Sequence, residues 1–147
     1  MPNILYAEDD RSCREFVAFV LRRAGHRVYE ATNGAQAVQI VRDESIDLVL
    51  LEVRLPMITG YLAARLIGRE RPSVPIMFIS ARGLPREVET AFDCGPMVVD
   101  YAVKPITAPQ LMQRVDSVLR VTRTYGLDVV RQESLARPEL AFVRLRP

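Results

Sequence analysis

Five side chains could do chemistry together: Glu8, Asp9, Glu52, Ser80 and Lys104. Each closes a short apolar run. Asn3 to Ala7 ends in the acids Glu8, Asp9 and Asp10, Leu48 to Leu51 ends in Glu52, Ile76 to Ile79 ends in Ser80, and Met97 to Val103 ends in Lys104. Carboxylates brought together repel and drift toward higher pKa unless a cation joins them. Oxygen-only ligation of that kind suits Mg²⁺. A hydroxyl and an ammonium alongside would hold negative charge on a bound group. Lys104 is the only lysine in a chain whose other nineteen cationic residues are arginine. A compact ammonium therefore stands where a guanidinium fork would overfill the space.

The elements that position these residues follow from periodicity. Unbroken apolar runs mark strands buried on both faces, and Asp47 followed by Leu48 to Leu51 is the clearest of them. Ser12 with Glu15 predicts a capping box, ahead of an inward stripe of Phe16, Val17, Val20 and Leu21 that Gly25 closes. Arg27 to Ala31 reads as an amphipathic edge strand. Helices are predicted over about 35–44, with Ala37, Val38 and Val41 inward, and about 59–71, carrying Leu62, Leu66 and Ile67. Two more are predicted: about 85–94, with Val88, Ala91 and Phe92 inward, and one after Thr107, with Leu111, Met112, Val115, Val118 and Leu119 inward. Five strands alternating with five helices make an α/β three-layer sandwich around a five-stranded parallel sheet. In such a sheet the crevice beyond the carboxyl ends of the strands is where ligands bind.

At 147 residues, 49% hydrophobic and mean hydropathy +0.05, the composition is that of one globular domain with a tail. No apolar run approaches the roughly 20 residues of a membrane span. The N-terminus turns acidic within eight residues and carries no secretory pattern, so a cytoplasmic protein is expected. Cys13 and Cys94 lack metal-ligand spacing and read as free thiols. A net charge of +2 gives no reason to expect nucleic acid, although six arginines against three acids from Arg120 onward make the tail the basic part.

The run from Asp47 through Glu52 to Pro56 and Gly60 resembles the receiver domain of bacterial response regulators, which has an acid, an apolar strand, a phospho-accepting acid, a Pro four residues on and a Gly eight residues on. Ser80, 28 residues after Glu52, and Lys104 with Pro105, 52 after it, match the same family's spacing. The resemblance covers roughly residues 3 to 122, leaving 123–147 as a C-terminal extension. It implies a flavodoxin-like receiver fold with strand order 2-1-3-4-5, which sets the first and third strands side by side. It implies Mg²⁺ held by Glu8, Asp9, Glu52 and the backbone carbonyl of Arg54, with phosphoryl charge held by Mg²⁺, Lys104 and Ser80. It also implies a switch aromatic at Tyr101, swinging inward or outward as Ser80 moves. Taken singly, Glu8 to Asp10 is equally a solvated turn before a helix, and Tyr101 a half-buried strand residue. Their joint placement at one sheet edge sets them apart.

The family's acceptor is aspartate, and here Glu52 stands in its place. One extra methylene displaces the nucleophile from in-line geometry, which can cost about a hundredfold in rate. It also brings the carboxylate toward the phosphoryl position, in reach of Lys104 and Ser80, as a partial mimic with less charge than a phosphoryl group. The expectation is an atypical receiver, not an enzyme, working without phosphorylation in an active-like state and signalling by protein contact. Two alternatives stand beside it: a working receiver phosphorylated by a histidine kinase on an acid of the site, and a nucleic-acid contact through the Arg-rich tail. The latter has three acids interrupting it and no recognition helix. A phosphatase of similar layering would need an acid two residues past Glu52, where Arg54 stands. Gly95 to Tyr101, GPMVVDY, is longer and more apolar than the family's link. A non-standard partner face on the fourth helix, fifth strand and fifth helix follows, with a homodimer expected through it. In the tail, LDVVRQESL suits two helical turns and LAFVRLR alternates enough for a strand.

Overall fold

The computed structural model describes residues 1–145. Its elements are β1 (Asn3–Ala7), α1 (Arg11–Arg23), β2 (Arg27–Ala31), α2 (Gly34–Asp43), β3 (Leu48–Leu51), α3 (Gly60–Glu70), β4 (Ile76–Ser80), α4 (Pro85–Phe92), β5 (Val98–Val103), α5 (Ala108–Tyr125) and α6 (Leu127–Leu135). A 3-10 turn at Pro138–Leu140 then leads into α7 (Ala141–Leu145). The sheet is parallel throughout, in the order β2-β1-β3-β4-β5, as the resemblance implies. β2 is an edge strand, as its amphipathic pattern predicts.

Alternation along the strands builds two cores. Leu5, Val49, Leu51, Ile76 and Phe78 face α2, α3 and α4, while Ile4, Tyr6, Leu48, Leu50, Met77 and Ile79 face α1 and α5. In β5 the alternation slips. Ile76 pairs with Val98 but Met77 pairs with Asp100, so Val99 is the extra residue of a bulge. The bulge has a direct consequence for the site. It returns Tyr101 to the α4 side of the sheet, opposite Phe78, and turns Asp100 toward α5, where Arg114 meets it.

Several local readings need correction. Helix α1 is capped by Asp10, which accepts the Cys13 amide at 2.8 Å, and not by a Ser12–Glu15 box. Aspartate is as strong an N-cap as serine and adds its charge to the dipole. Glu15 pairs instead with Arg11. Phe16 is 45% exposed and Leu62 42% exposed. The inward faces of these helices centre on Val17, Ala18, Val20 and Leu21, and on Ala63, Ala64 and Ile67, leaving the two larger residues at the margins. LDVVRQESL forms α6 as expected, but the segment after it is not a strand. Leu140 and Val143 are buried three residues apart, a helical spacing that packs one face into the α4-side core. Arg146 lies outside the described residues.

Candidate functional site

Strand pairing sets the site's geometry. Because β1 and β3 are neighbours, the residues following them end side by side: the Glu8 amide bonds to Ala31 and the Glu52 amide to Ala7, at 3.0 and 3.1 Å. Both carboxylates are buried, Glu8 at 2% and Glu52 at 7% exposure. On the other flank the Lys104 amide bonds to the Ser80 carbonyl at 2.8 Å, which brings the lysine to the end of β4. The loop after Glu52 folds back tightly. The Gly60 amide bonds to Val53, and a Cβ at Gly60 would stand 2.1 Å from the Glu52 carbonyl oxygen, so only glycine fits the close approach.

Lys104 Nζ lies between the acids, bonded to Glu52 Oε2 at 2.8 Å and to Glu8 Oε1. The remaining carboxylate oxygens also have donors. Glu52 Oε1 accepts the Val53 amide at 2.7 Å, Glu8 Oε2 accepts the Asp10 amide at 3.3 Å, and the Tyr6 hydroxyl donates to Glu8 Oε1 at 3.3 Å. Burial pushes Glu8 above the ordinary glutamate range, with Lys104 opposing the shift. For Lys104 burial acts downward, but the hydrogen bonds and charges of Glu52 and Glu8 outweigh it and hold the ammonium above the ordinary lysine range. Tyr6 is raised by burial and then by the Glu8 charge, and Tyr101 by burial.

The shifts of Lys104, Tyr6 and Tyr101 share one sign and bear on alkaline stability. A group whose folded pKa is raised contributes stability that is complete below its unfolded value and lost as pH rises toward the folded one. Ordinary values are about 10 for tyrosine and 10.4 for lysine. Stability is therefore expected to fall from about pH 10 upward, with the tyrosinate absorbance of Tyr6 and Tyr101 appearing together with loss of helical circular dichroism. Tyrosinate formation complete by about pH 11 in a chain still folded would contradict the buried placement of Tyr6 and Tyr101.

Ser80 is fully buried, and its hydroxyl oxygen accepts the Arg82 amide at 3.1 Å. The contact with Glu52 expected of it is not among the hydrogen bonds of the described residues. Tyr101 is 1% exposed, stacks on Phe78 at 5.9 Å and donates its hydroxyl to the Arg82 carbonyl. Tyr61, 5.8 Å from Phe78 on the other side, completes a row of three rings and bonds to the Glu87 carbonyl at 3.0 Å. The Tyr101 ring therefore lies inward.

The metal reading fares differently. Asp9 and Arg54 are exposed, and among the described residues no group of three or more His, Cys, Asp or Glu side chains is arranged to share a metal ion. The Glu8 and Glu52 oxygens already have donors, with the ammonium in the position a bridging cation would take. As arranged, these residues do not fit Mg²⁺.

Sequence reasoning missed a second charged cluster. Asp100, 1% exposed, receives Arg114 at 2.7 and 3.1 Å, the Tyr101 amide at 2.8 Å, and Arg137 from beyond α6. Nothing but its position beside Tyr101 marked it, because a bulge exchanges the faces of a strand without leaving a residue signature.

The response regulator receiver domain family model matches residues 4–116. The transcriptional regulatory protein AfsQ1 of Streptomyces coelicolor is 36% identical over 120 residues, covering 82% of this chain and 52% of its own length. The chain thus spans about half the length of that curated relative. A receiver domain protein from Methanospirillum hungatei superposes with a TM-score of 0.81 at 18% identity, over 86% of this chain and 99% of its own. The response regulator protein TrrA of Thermotoga maritima, solved in complex with Mg²⁺-BeF, gives 0.73 at 25% identity over 81% of this chain and all of its own.

Proposed function

The chain belongs to the response regulator receiver family, and from that premise we propose that it is an atypical receiver whose signalling state is set without phosphorylation, Glu52 standing where the family carries its acceptor aspartate. The observation that carries this reading is the Lys104 ammonium shared between Glu52 and Glu8. A carboxylate one methylene longer than aspartate reaches the lysine directly, so charge that a phosphoryl group would bring is supplied in part by the side chain itself. The inward Tyr101, stacked on Phe78, holds one of the two positions of the switch aromatic that the resemblance implies. Nucleophilic attack is disfavoured on two counts: Glu52 Oε1 is held by the Val53 amide and Oε2 by Lys104, and the longer side chain moves the carboxylate off line. Mg²⁺ is not required, since the pocket carries its own cation.

On this reading the protein is a cytoplasmic module of a two-component pathway that acts by contact with a protein partner and not by turnover. Among the described residues no helix is long and apolar enough to cross a membrane. Two of the tail's arginines, Arg131 and Arg137, are turned to the protein's own carbonyls and to Asp100, which takes them out of the basic surface a nucleic acid would meet.

The test is intact mass after incubation with Mg²⁺ and acetyl phosphate, wild type beside Glu52→Asp. Wild type is expected to stay unmodified and Glu52→Asp to gain one hydroxylamine-labile phosphoryl mass, a rate difference of about a hundredfold or more. A phosphoryl on wild type would restore the histidine-kinase alternative and end this one. Modification of neither would locate the function away from the pocket.

A further inference from the structure

The C-terminal segment takes no part in the pocket, yet it is seated by specific chemistry. β5 is an edge strand, and an edge exposes backbone carbonyls that the sheet does not use. Arg131 of α6 takes one of them, Val98 O at 2.7 Å, and reaches back along the approach to the strand to Gly95 O at 2.8 Å and Phe92 O at 3.1 Å, with its guanidinium 5.1 Å over the Phe92 ring. One side chain thus caps the end of α4 and the start of β5. Six residues on, Arg137 reaches the buried Asp100. Leu140 and Val143, at 2% and 6% exposure, drop into the same core as Val88 and Tyr101. The seat is not sealed on the α5 side, where a cleft of 640 Å³ runs between Gln110, Gln113 and Arg114 and the facing Glu133, Ser134 and Arg137.

We propose that the face formed by α4, β5 and α5 is a groove for an arginine-bearing segment of short helices, and that the chain's own residues 127–145, α6 followed by the 3-10 turn and α7, occupy it in cis as a strap. The recognition has three parts: a guanidinium on the carbonyls at the end of α4 and the start of β5, a second guanidinium on a buried carboxylate, and two aliphatic side chains in the core. The face that the sequence analysis assigned to a partner or a second copy is therefore already covered. A competing segment needs the same chemistry and must displace the strap, which the short connection at Gly126 holds at high effective concentration. None of these contacts involves Glu8, Glu52 or Lys104, so the inference stands apart from the reading of the pocket.

A fluorescein-labelled peptide of residues 126–145, titrated with the full chain, tests it. The variant Arg137→Ala with Leu140→Asp releases the strap without orphaning Asp100, which keeps Arg114 and the Tyr101 amide. That variant is expected to bind the peptide about tenfold or more tightly than wild type, and a peptide carrying the same two changes should bind neither. Equal binding by wild type and variant, or binding by neither, would overturn the proposal. If the double variant does not unfold cooperatively, Arg131→Ala takes its place with the same expected order and the same overturning results. Amide exchange gives an independent readout. Wild-type amides of α6 should be protected and those of the variant not, and unprotected wild-type α6 would itself reject the strap.

Discussion

Lys104→Met is expected to destabilise the protein by about 3–5 kcal/mol at neutral pH, the cost of removing one partner from a buried ion pair. Methionine keeps the length and apolar stem of lysine, so the loss reports charge more than packing. Two carboxylates, 2% and 10% exposed at their side chains, would then face each other with no cation between them. The penalty should shrink on acidification. Glu8 already sits above the ordinary glutamate range through burial, and without the opposing ammonium it rises further. A raised folded pKa means stability that is complete below the unfolded value and lost as pH climbs, so the variant should be relatively most stable near or below about pH 4.3. Urea unfolding of both proteins at neutral and acidic pH measures the difference. A variant as stable as wild type at neutral pH would show that the triad does not neutralise the pocket. Lys104→Arg should rescue only partly, because a planar fork cannot sit between two oxygens as a point charge does.

Phe78→Ala should cost about 3–5 kcal/mol, as large aromatic truncations in a close-packed core do. Phe78 is fully buried at the centre of the ring row, 5.8 Å from Tyr61 and 5.9 Å from Tyr101. Its loss opens a cavity and also removes the surface against which Tyr101 lies inward. Two readouts should therefore move together: the unfolding midpoint, and the near-ultraviolet circular dichroism of the tyrosines. Phe78→Leu, which fills more of the space, should cost less and retain more of the tyrosine signal. A cost below about 1 kcal/mol would mean that the row does not hold Tyr101.

The elements were readable where one physical signal dominated. Continuous apolar runs ending in Glu8, Glu52, Ser80 and Lys104 located the strand ends, and the structure brings Glu8, Glu52 and Lys104 into contact. The cap of α1 was misread because Asp10 and Ser12, two good caps, lie two residues apart, and local preference alone does not choose between them. In the tail, LAFVRLR satisfies both a strand and a helix pattern over too few residues to separate the periods, and burial of Leu140 and Val143 decided for helix. The bulge at Val99 and the burial of Asp100 depend on pairing with β4 and on arginines 14 and 37 residues away, which no local window contains. Spacing showed which acids share a strand edge. It could not show that their oxygens would be spent on an ammonium and on backbone amides, which is why the metal reading and the geometry part ways.

Because Lys104 is the only lysine, ¹⁵N-lysine labelling yields a single side-chain ammonium signal, and following that signal is the most direct test of the account. At neutral pH it should be visible and slow to exchange with water, and it should hold its position when Mg²⁺ and acetyl phosphate are added. A saturable shift on adding Mg²⁺ alone would mean that a metal enters between Glu8 and Glu52, and that the pocket is a metal site and not one closed by its own lysine.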